Sequence, residues 1–350
     1  MGNDLVEDID SFLKDLASDT RGYKSVFTIG NTRVIDSSKY YLTPVRYFKN
    51  FIVGGIVVFS EEEAEVVLKK IDGRIDHVFV DAEKKSKNLG NLGYFNLERL
   101  AGEILKSSSL SFYKGNDITV DAIDDFVVSW YYKRNELLGG KKMLIIGIGN
   151  IGAKIALRLL ERGASVYLKS SDDKKMTRMC DYLNEVKPKE TIAVARPAEI
   201  ASYDTVLFTG LLPVESNTKY FDNLNDSLIL DIGKGCLSNS QITLLTKNGC
   251  NLFRLDIGFT FLQKLEQILV SYNSFKLPRK KVISDKLTLI EPGIIGDFGD
   301  VVINDLDADL EDFRIYGVCD GFGGLDKSEN NKVYENINNW FKRKSSEKVS

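Results

Sequence analysis

Three glycines pose the first chemical question. Gly147, Gly149 and Gly152 stand as G-x-G-x-x-G inside KKMLIIGIGNIGAKIALRLLERGASVYLKSS, residues 141 to 171. In such a turn the first glycine permits a tight bend. The second lets the backbone approach a pyrophosphate, and the third lets the next helix pack close to its strand. The diphosphate then rests on the first amides of that helix, which here belong to Asn150 and Ile151. The chemistry implied is dinucleotide binding by Gly147, Gly149, Asn150, Ile151 and Gly152.

The dinucleotide is chosen some twenty residues on, where an NAD-type site places an acid on the ribose 2′-hydroxyl. Here the second strand ends in Lys169, Ser170 and Ser171, with Asp172 and Asp173 only afterwards. A cation and two hydroxyls suit a 2′-phosphate, so NADP is favoured, and the two following acids leave NAD open.

The elements needed to hold that turn are legible around it. Met143 to Ile146 is an apolar run of strand length. Ile151, Ile155, Leu159 and Leu160 share one helical face, and Gly163 stops the helix before a strand from Ser165 to Leu168. Further strands are expected at Thr191 to Val194, Tyr203 to Thr209, Leu228 to Ile232 and Asn251 to Ile257. Together they predict a Rossmann fold, a doubly wound parallel α/β sheet, over residues 139–290. Residues 1–138 alternate strands and helices as a smaller α/β domain. It holds an aromatic loop from Tyr40 to Phe48 with one arginine, Arg46, and ends in a long helix from Asp121. Residues 291–350 are expected to return to that first domain, with an acidic solvated stretch from Asp297 to Asp312 and a last helix from Asn330.

Composition excludes other classes. A net charge of −3 lacks the basic excess of a nucleic-acid binder, and no apolar run approaches a membrane span. The N-terminus, MGNDLVEDIDSFLKDLA, is acidic and amphipathic, unlike a signal peptide, and Val6 spoils a myristoylation signal. Four widely spaced cysteines form no metal or disulfide pattern. The expectation is a cytoplasmic protein with reduced thiols, no metal and a small-molecule substrate; a homodimer is compatible with all of this. There is one histidine, His77.

Residues 139 to 295 resemble the NAD-binding domain of the D-2-hydroxyacid dehydrogenase family. The glycine turn, the strand and loop from Asp204 to Pro213 with Thr218, the segment Leu230 to Gly235, Leu255-Asp256-Ile257 and the segment Ile290 to Gly293 follow that family's features in order. The resemblance implies further cofactor contacts from Thr209, Gly210, Leu212, Asp231 and Gly233. Where the family carries an arginine that binds the substrate carboxylate, this chain has Lys234, and where it carries its catalytic histidine, Gly293. His77 lies elsewhere and reads as a histidine at a strand edge. Proton transfer therefore falls to Lys234, Glu291 or Asp256 as candidate catalytic groups. Arg46 is the candidate anchor for an anionic substrate. These residues imply an NAD(P)-dependent oxidoreductase. The alternatives are a non-catalytic nucleotide-binding protein and an enzyme that uses bound NAD(P) for a transient redox step, such as an epimerase or a lyase.

Overall fold

The runs VFTIG, IVGGIVV and HVFVD lack polar alternation, the mark of strands buried on both faces. Each lies inside a strand of a first sheet: β1 (Lys24–Asn31), β3 (Phe51–Val58) and β4 (His77–Asp81). The computed structural model describes residues 2–17, 22–31, 40–84, 96–187, 202–210, 221, 223–233, 235–274, 276–284, 287–309, 312–326, 337 and 339–340. Over these the chain divides into two units, Met1–Val270 and Ser271–Ser350.

In the first unit, β2 (Tyr41–Phe48) and β5 (Ser109–Tyr113) complete a sheet of order β2-β3-β1-β4-β5. The pairings of β1 with β3 and β4, and of β4 with β5, are parallel; β2 runs antiparallel on the edge. The aromatic loop expected around Arg46 is therefore an edge strand. Pro44 is tolerated there because the register slips between Thr43 and Arg46, a bulge that frees the proline from the ladder. Helices α1 (Gly2–Ala17), α2 (Glu61–Ile71) and α3 (Leu97–Ile104) cover one face. Leu5, Ile9, Leu13, Leu68 and Leu100 pack there with Phe27, Ile29 and Val78.

A second sheet holds β6 (Lys142–Ile146), β7 (Ser165–Lys169), β8 (Thr205–Phe208), β9 (Leu228–Asp231) and β10 (Asn251–Arg254) in the order β10-β9-β8-β6-β7, all parallel. The expected strand Thr191 to Val194 lies outside the described residues. Alternate residues of β6 face two cores. Met143 and Ile145 join α5 (Asn150–Glu161) and α6 (Asp173–Val186), while Leu144 and Ile146 join Leu245 of α7 (Asn239–Lys247). This is the doubly wound α/β arrangement, beside an N-terminal α/β sheet that also has five strands.

Two helices tie the sheets together. The helix expected from Asp121 begins earlier, as α4 (Gly115–Lys133), and packs Ile123, Val127 and Tyr131 into the core of the second sheet. A bidentate pair fixes it to α5, with Arg162 Nε and Nη2 each 2.7 Å from an oxygen of buried Asp124. In the other direction α8 (Gly258–Ser274) leaves β10 and lays Leu262 and Leu265 on Val26, Phe51 and Phe79 of the first sheet. Burying such leucines contributes about 1.5–3 kcal/mol each.

The second unit has its own sheet, β11 (Lys280–Ser284), β12 (Leu287–Ile290), β13 (Val301–Ile303), β14 (Ile315–Cys319) and β15 (Leu325–Asp326), neighbours in that order. The boundary expected at residue 290 thus falls between β12 and β13, which pair in parallel. The acidic stretch is only partly solvated: it contains β13, and Asp300 is buried against Lys280 at 2.9 Å. The last helix expected from Asn330 falls almost wholly outside the described residues.

Candidate functional site

The glycine turn joins β6 to α5, next to β8, where the strand order reverses. Ligands of doubly wound sheets bind at that reversal, beyond the carboxyl ends of the strands. Its three glycines do three different things. Gly147 has φ +99°, and a side chain there would meet the Gly210 nitrogen at 2.9 Å. Gly152 sits so close beneath the turn that a Cβ would lie 2.0 Å from the Gly147 carbonyl oxygen and 2.7 Å from Thr209 Oγ1. Gly149 is the opposite case: a Cβ would find nothing within 4 Å, and φ is an ordinary −76°. Gly149 is also the N-cap of α5 and supplies no side-chain cap, so nothing from its own cap occupies the leading amides. An exposed Asn150 and a half-buried Ile151 follow. Open space before uncapped amides, with the positive end of the helix dipole behind them, can hold a diphosphate.

Thr209 holds the floor of this turn, donating its hydroxyl to the Gly147 carbonyl at 2.5 Å, and Gly210 accepts the Cys236 thiol at 3.3 Å. Asp231 ends β9 on the same edge of the sheet. Its Oδ2 accepts the Gly235 amide at 2.7 Å, while its buried Oδ1 has no hydrogen-bond partner. Burial and then the Asp231 charge push the Cys236 thiol up to about 12, so this cysteine stays protonated. Gly233 packs on Gly210, with no room for a Cβ beside the Cys236 sulfur. Lys234 and Leu212 lie outside the described residues.

At the end of β7, Lys169 is half-buried and Ser170 buried. Ser170 Oγ accepts the Asp172 amide at 3.2 Å. Asp172, the first acid after β7, caps α6, accepting the Lys175 amide at 2.9 Å. Ser171 and Asp173 are exposed.

The first sheet has a site of its own. A cavity of about 260 Å³ opens at the carboxyl ends of β1 and β4, with Asn31, Arg46, Asp81, Tyr113, Gly258 and Phe261 in its wall. The β2 bulge presents Arg46 at this wall. Its guanidinium carbon would be 3.4 Å from a Cβ on Gly258, and Asp256 Oδ1 would be 3.1 Å from the same point. Arg46 and Asp256, singled out separately from the sequence, thus both stand close to Gly258 at the start of α8. Asp256 is exposed, and its Oδ1 accepts the Gly258 amide at 2.8 Å as a cap on that helix. The first turn of α4 lies between this cavity and α5. Gly115 and Asn116 line the cavity, and their neighbour Asp117 pairs with Lys154 in the first turns of α5.

Sequence reasoning passed over Asn31, Asp81 and Tyr113. A signal was present: Asp81 closes an otherwise apolar strand run, and Asn31 stands at the end of another. The rule that ligands sit beyond strand carboxyl ends applies to both parallel sheets of this chain, not to the second alone.

Glu291 and His77 are each engaged by their own neighbours. Glu291, expected to move a proton, is an anchor of the second unit. Its oxygens take the Arg279 guanidinium at 2.5 Å, the Arg279 amide at 2.8 Å and the Leu306 amide at 3.0 Å. The Arg279 hydrogen bonds, opposed by burial, hold its pKa down to about 2. At neutral pH it therefore has no proton to give and little basicity. His77 is buried at the start of β4, 2.9 Å from Ser111 Oγ, and burial lowers its pKa. Among the described residues no cluster of histidine, cysteine and acid could hold a metal ion, and no helix is long and apolar enough to cross a membrane.

No protein family and no curated protein matches the chain. It is similar to solved structures of dehydrogenases. L-tryptophan dehydrogenase from Nostoc punctiforme shares 13% identity over 74% of this chain and 77% of its own, with a TM-score of 0.43. A D-isomer specific 2-hydroxyacid dehydrogenase family protein from Aeromonas salmonicida shares 11% over 71% and 94%, with a TM-score of 0.32. D-lactate dehydrogenase from Salmonella shares 13% over 72% and 75%, also at 0.32. Likeness at this level says nothing of what the chain acts on.

Proposed function

We propose that this chain is an NAD(P)-dependent oxidoreductase, preferring NADP, that moves hydride to or from a small polar or anionic substrate. The observation that carries the reading is the contrast within the glycine turn. Gly152 is locked under the Gly147 carbonyl, whereas Gly149 faces open space before uncapped amides of α5. A turn serving only to pack would not need the second glycine.

A bound nicotinamide dinucleotide supplies or accepts the hydride. Gly147, Gly149, Asn150, Ile151 and Gly152 would seat its diphosphate, and Thr209, Gly210, Leu212 and Gly233 would border the crevice. Asp231, with one buried oxygen free to accept, fits a hydroxyl or amide donor of the cofactor. Lys169, Ser170 and Ser171 would hold a 2′-phosphate. The capping role of Asp172 supports NADP, because the first acid after β7 is already engaged.

Arg46 would orient the substrate in the neighbouring cavity, and Lys234 would bind its polar group or move the proton that accompanies hydride. Asp256, close to Arg46 at the start of α8, is the remaining candidate acid. Fluorescence titration with NADPH and NADH tests the reading directly. Saturable binding tighter for NADPH is expected, and absence of binding by either cofactor would overturn it.

A further inference from the structure

We infer that the cavity at the carboxyl edge of the N-terminal sheet is built for a single zwitterionic amino acid, with its carboxylate on Arg46 and its ammonium on Asn31. This deepens the proposed oxidoreductase reading, whose substrate site it specifies.

Asn31 is the primary observation. It is only 5% exposed, it lines the cavity, and its buried Oδ1 has no hydrogen-bond partner among the described residues. A buried amide oxygen left so costs about 1–3 kcal/mol, which a ligand carrying N–H or O–H would recover. Its orientation is set from behind, since its Nδ2 donates to the Glu83 carbonyl at 3.4 Å. An acceptor thus stands at the cavity wall with no donor for it among the described residues.

The charges around the cavity select which donor. Asp81, 2% exposed, lines the same wall as Asn31, and Glu83 stands beside it. Each of these acids accepts an amide of the α4 N-terminus: Asp81 Oδ1 from Gly115 at 3.4 Å and Glu83 Oε2 from Asn116 at 2.8 Å. That helix end is therefore taken by carboxylates and offers nothing to an anion. The Tyr113 hydroxyl, close to Gly30 on this side, is held neutral by burial and then by the Asp81 charge. An ammonium is favoured here over a hydroxyl, and a keto oxygen, which accepts only, is rejected by Asn31 Oδ1.

The other wall carries the opposite sign. The Arg46 side chain has no ion pair or hydrogen bond among the described residues, and Asp256, close to it at the start of α8, is engaged with the Gly258 amide. A guanidinium fork matches a carboxylate. Ile56, Ile118 and Phe261 also line the cavity and offer apolar surface to a side chain. A sphere of 260 Å³ is about 8 Å across, below the usual small-molecule range, and extended chain already spans about 3.3–3.6 Å per residue. By that measure the space holds about two extended residues at most, so a single amino acid fits and a longer peptide does not.

The test is calorimetric titration of the full chain with L-leucine, its 2-hydroxy and 2-keto counterparts, and isopentylamine, then with glycine, L-phenylalanine, L-aspartate and L-lysine. At least one amino acid is expected to bind, and L-leucine to bind at least tenfold more tightly than its hydroxy, keto and decarboxylated counterparts. Arg46→Met should weaken amino-acid binding at least tenfold. Asn31→Leu should do the same, and Asn31→Asp, which keeps the shape, should retain the amino acid and worsen the keto acid. NADPH titration of each variant should match the wild type. Equal or better binding of the keto or hydroxy acid, no binding by any amino acid, or wild-type affinity in Arg46→Met would overturn the assignment. If NADPH binds while every amino acid fails, only the substrate class is lost. If NADPH fails too, the oxidoreductase reading falls with it.

Discussion

Two substitutions three residues apart should separate binding from folding. At Gly149 a valine meets open space and an ordinary φ, so the protein tolerates it. Replacing glycine by valine at an N-cap costs at most about 1 kcal/mol. For a chain of this size that is about 2–4 °C in Tm. Its methyls, however, stand where a diphosphate must approach. Losing one or two amide–phosphate hydrogen bonds, worth about 1.5–3 kcal/mol each, lowers NADPH affinity at least tenfold.

Gly152→Ala inverts the outcome. The added methyl would sit 2.0 Å from the Gly147 carbonyl oxygen, where ordinary contact begins near 3.4 Å, and the neighbour is backbone rather than a mobile side chain. Either α5 retreats from β6 or the turn opens. Overpacking of this kind costs about 1–3 kcal/mol, a fall in Tm of about 2–12 °C. Scanning calorimetry and NADPH fluorescence on both variants give the result. A Gly149→Val protein that melts as early as Gly152→Ala, or that binds NADPH like the wild type, refutes the division of labour and with it the dinucleotide reading.

Three more outcomes follow from the same structure. Lys169→Asp should weaken NADPH by about 1–3 kcal/mol while NADH binds as well or better, measured by paired titrations; a wild type that prefers NADH would contradict the strand-end argument. Lys234→Ala should cut turnover about thirty- to a thousandfold with cofactor affinity nearly unchanged, and full activity in that variant would remove Lys234 from the chemistry. Glu291 has a folded-state pKa of about 2 against an ordinary 4.5, so its stabilisation is complete above pH 4.5 and is lost as pH falls from there through 2. With Trp130→Phe, Trp340 of the second unit becomes the sole tryptophan, and its acid transition should move to higher pH when Arg279→Met removes the main hydrogen-bond partner.

The parts of this protein visible in its sequence are those set by neighbours along the chain. Helix α2 is set locally, because Ser60 caps it and its buried residues Ala64, Val67, Leu68 and Ile71 recur at helical spacing. Helix α6 likewise starts where Asp172 caps it. The glycine turn is legible because its strand, bend and helix occupy one contiguous stretch. By contrast, α4 and α8 are read easily as helices, but their destinations depend on distant strands: Tyr131 meets Thr205 at 2.6 Å, and Leu265 meets Phe51 and Phe79. Local periodicity carries no address, which is why α4 is expected in the first domain and found in the core of the second sheet. The strand around Arg46 is hidden for another reason. Pro44 reads as a breaker, and only an edge position with a slipped register makes it admissible.

The functional candidates divide along the same line. Glu291 and Asp256 look alike in sequence, acids at the ends of apolar strands, and nothing local says that one will face Arg279 and the other a helix amide. Asn31 is the sharper case. An asparagine after VFTIG is ordinary until the fold buries its carboxamide and provides no donor. Satisfaction of a hydrogen bond is a property of the whole neighbourhood, so a missing partner cannot be read from spacing. The two glycines make the same point within six residues: Gly149 and Gly152 are one letter with opposite surroundings, open space and a carbonyl at 2.0 Å. A motif can therefore name the turn, but only the packing around each position tells which glycine is kept for the fold and which for the ligand.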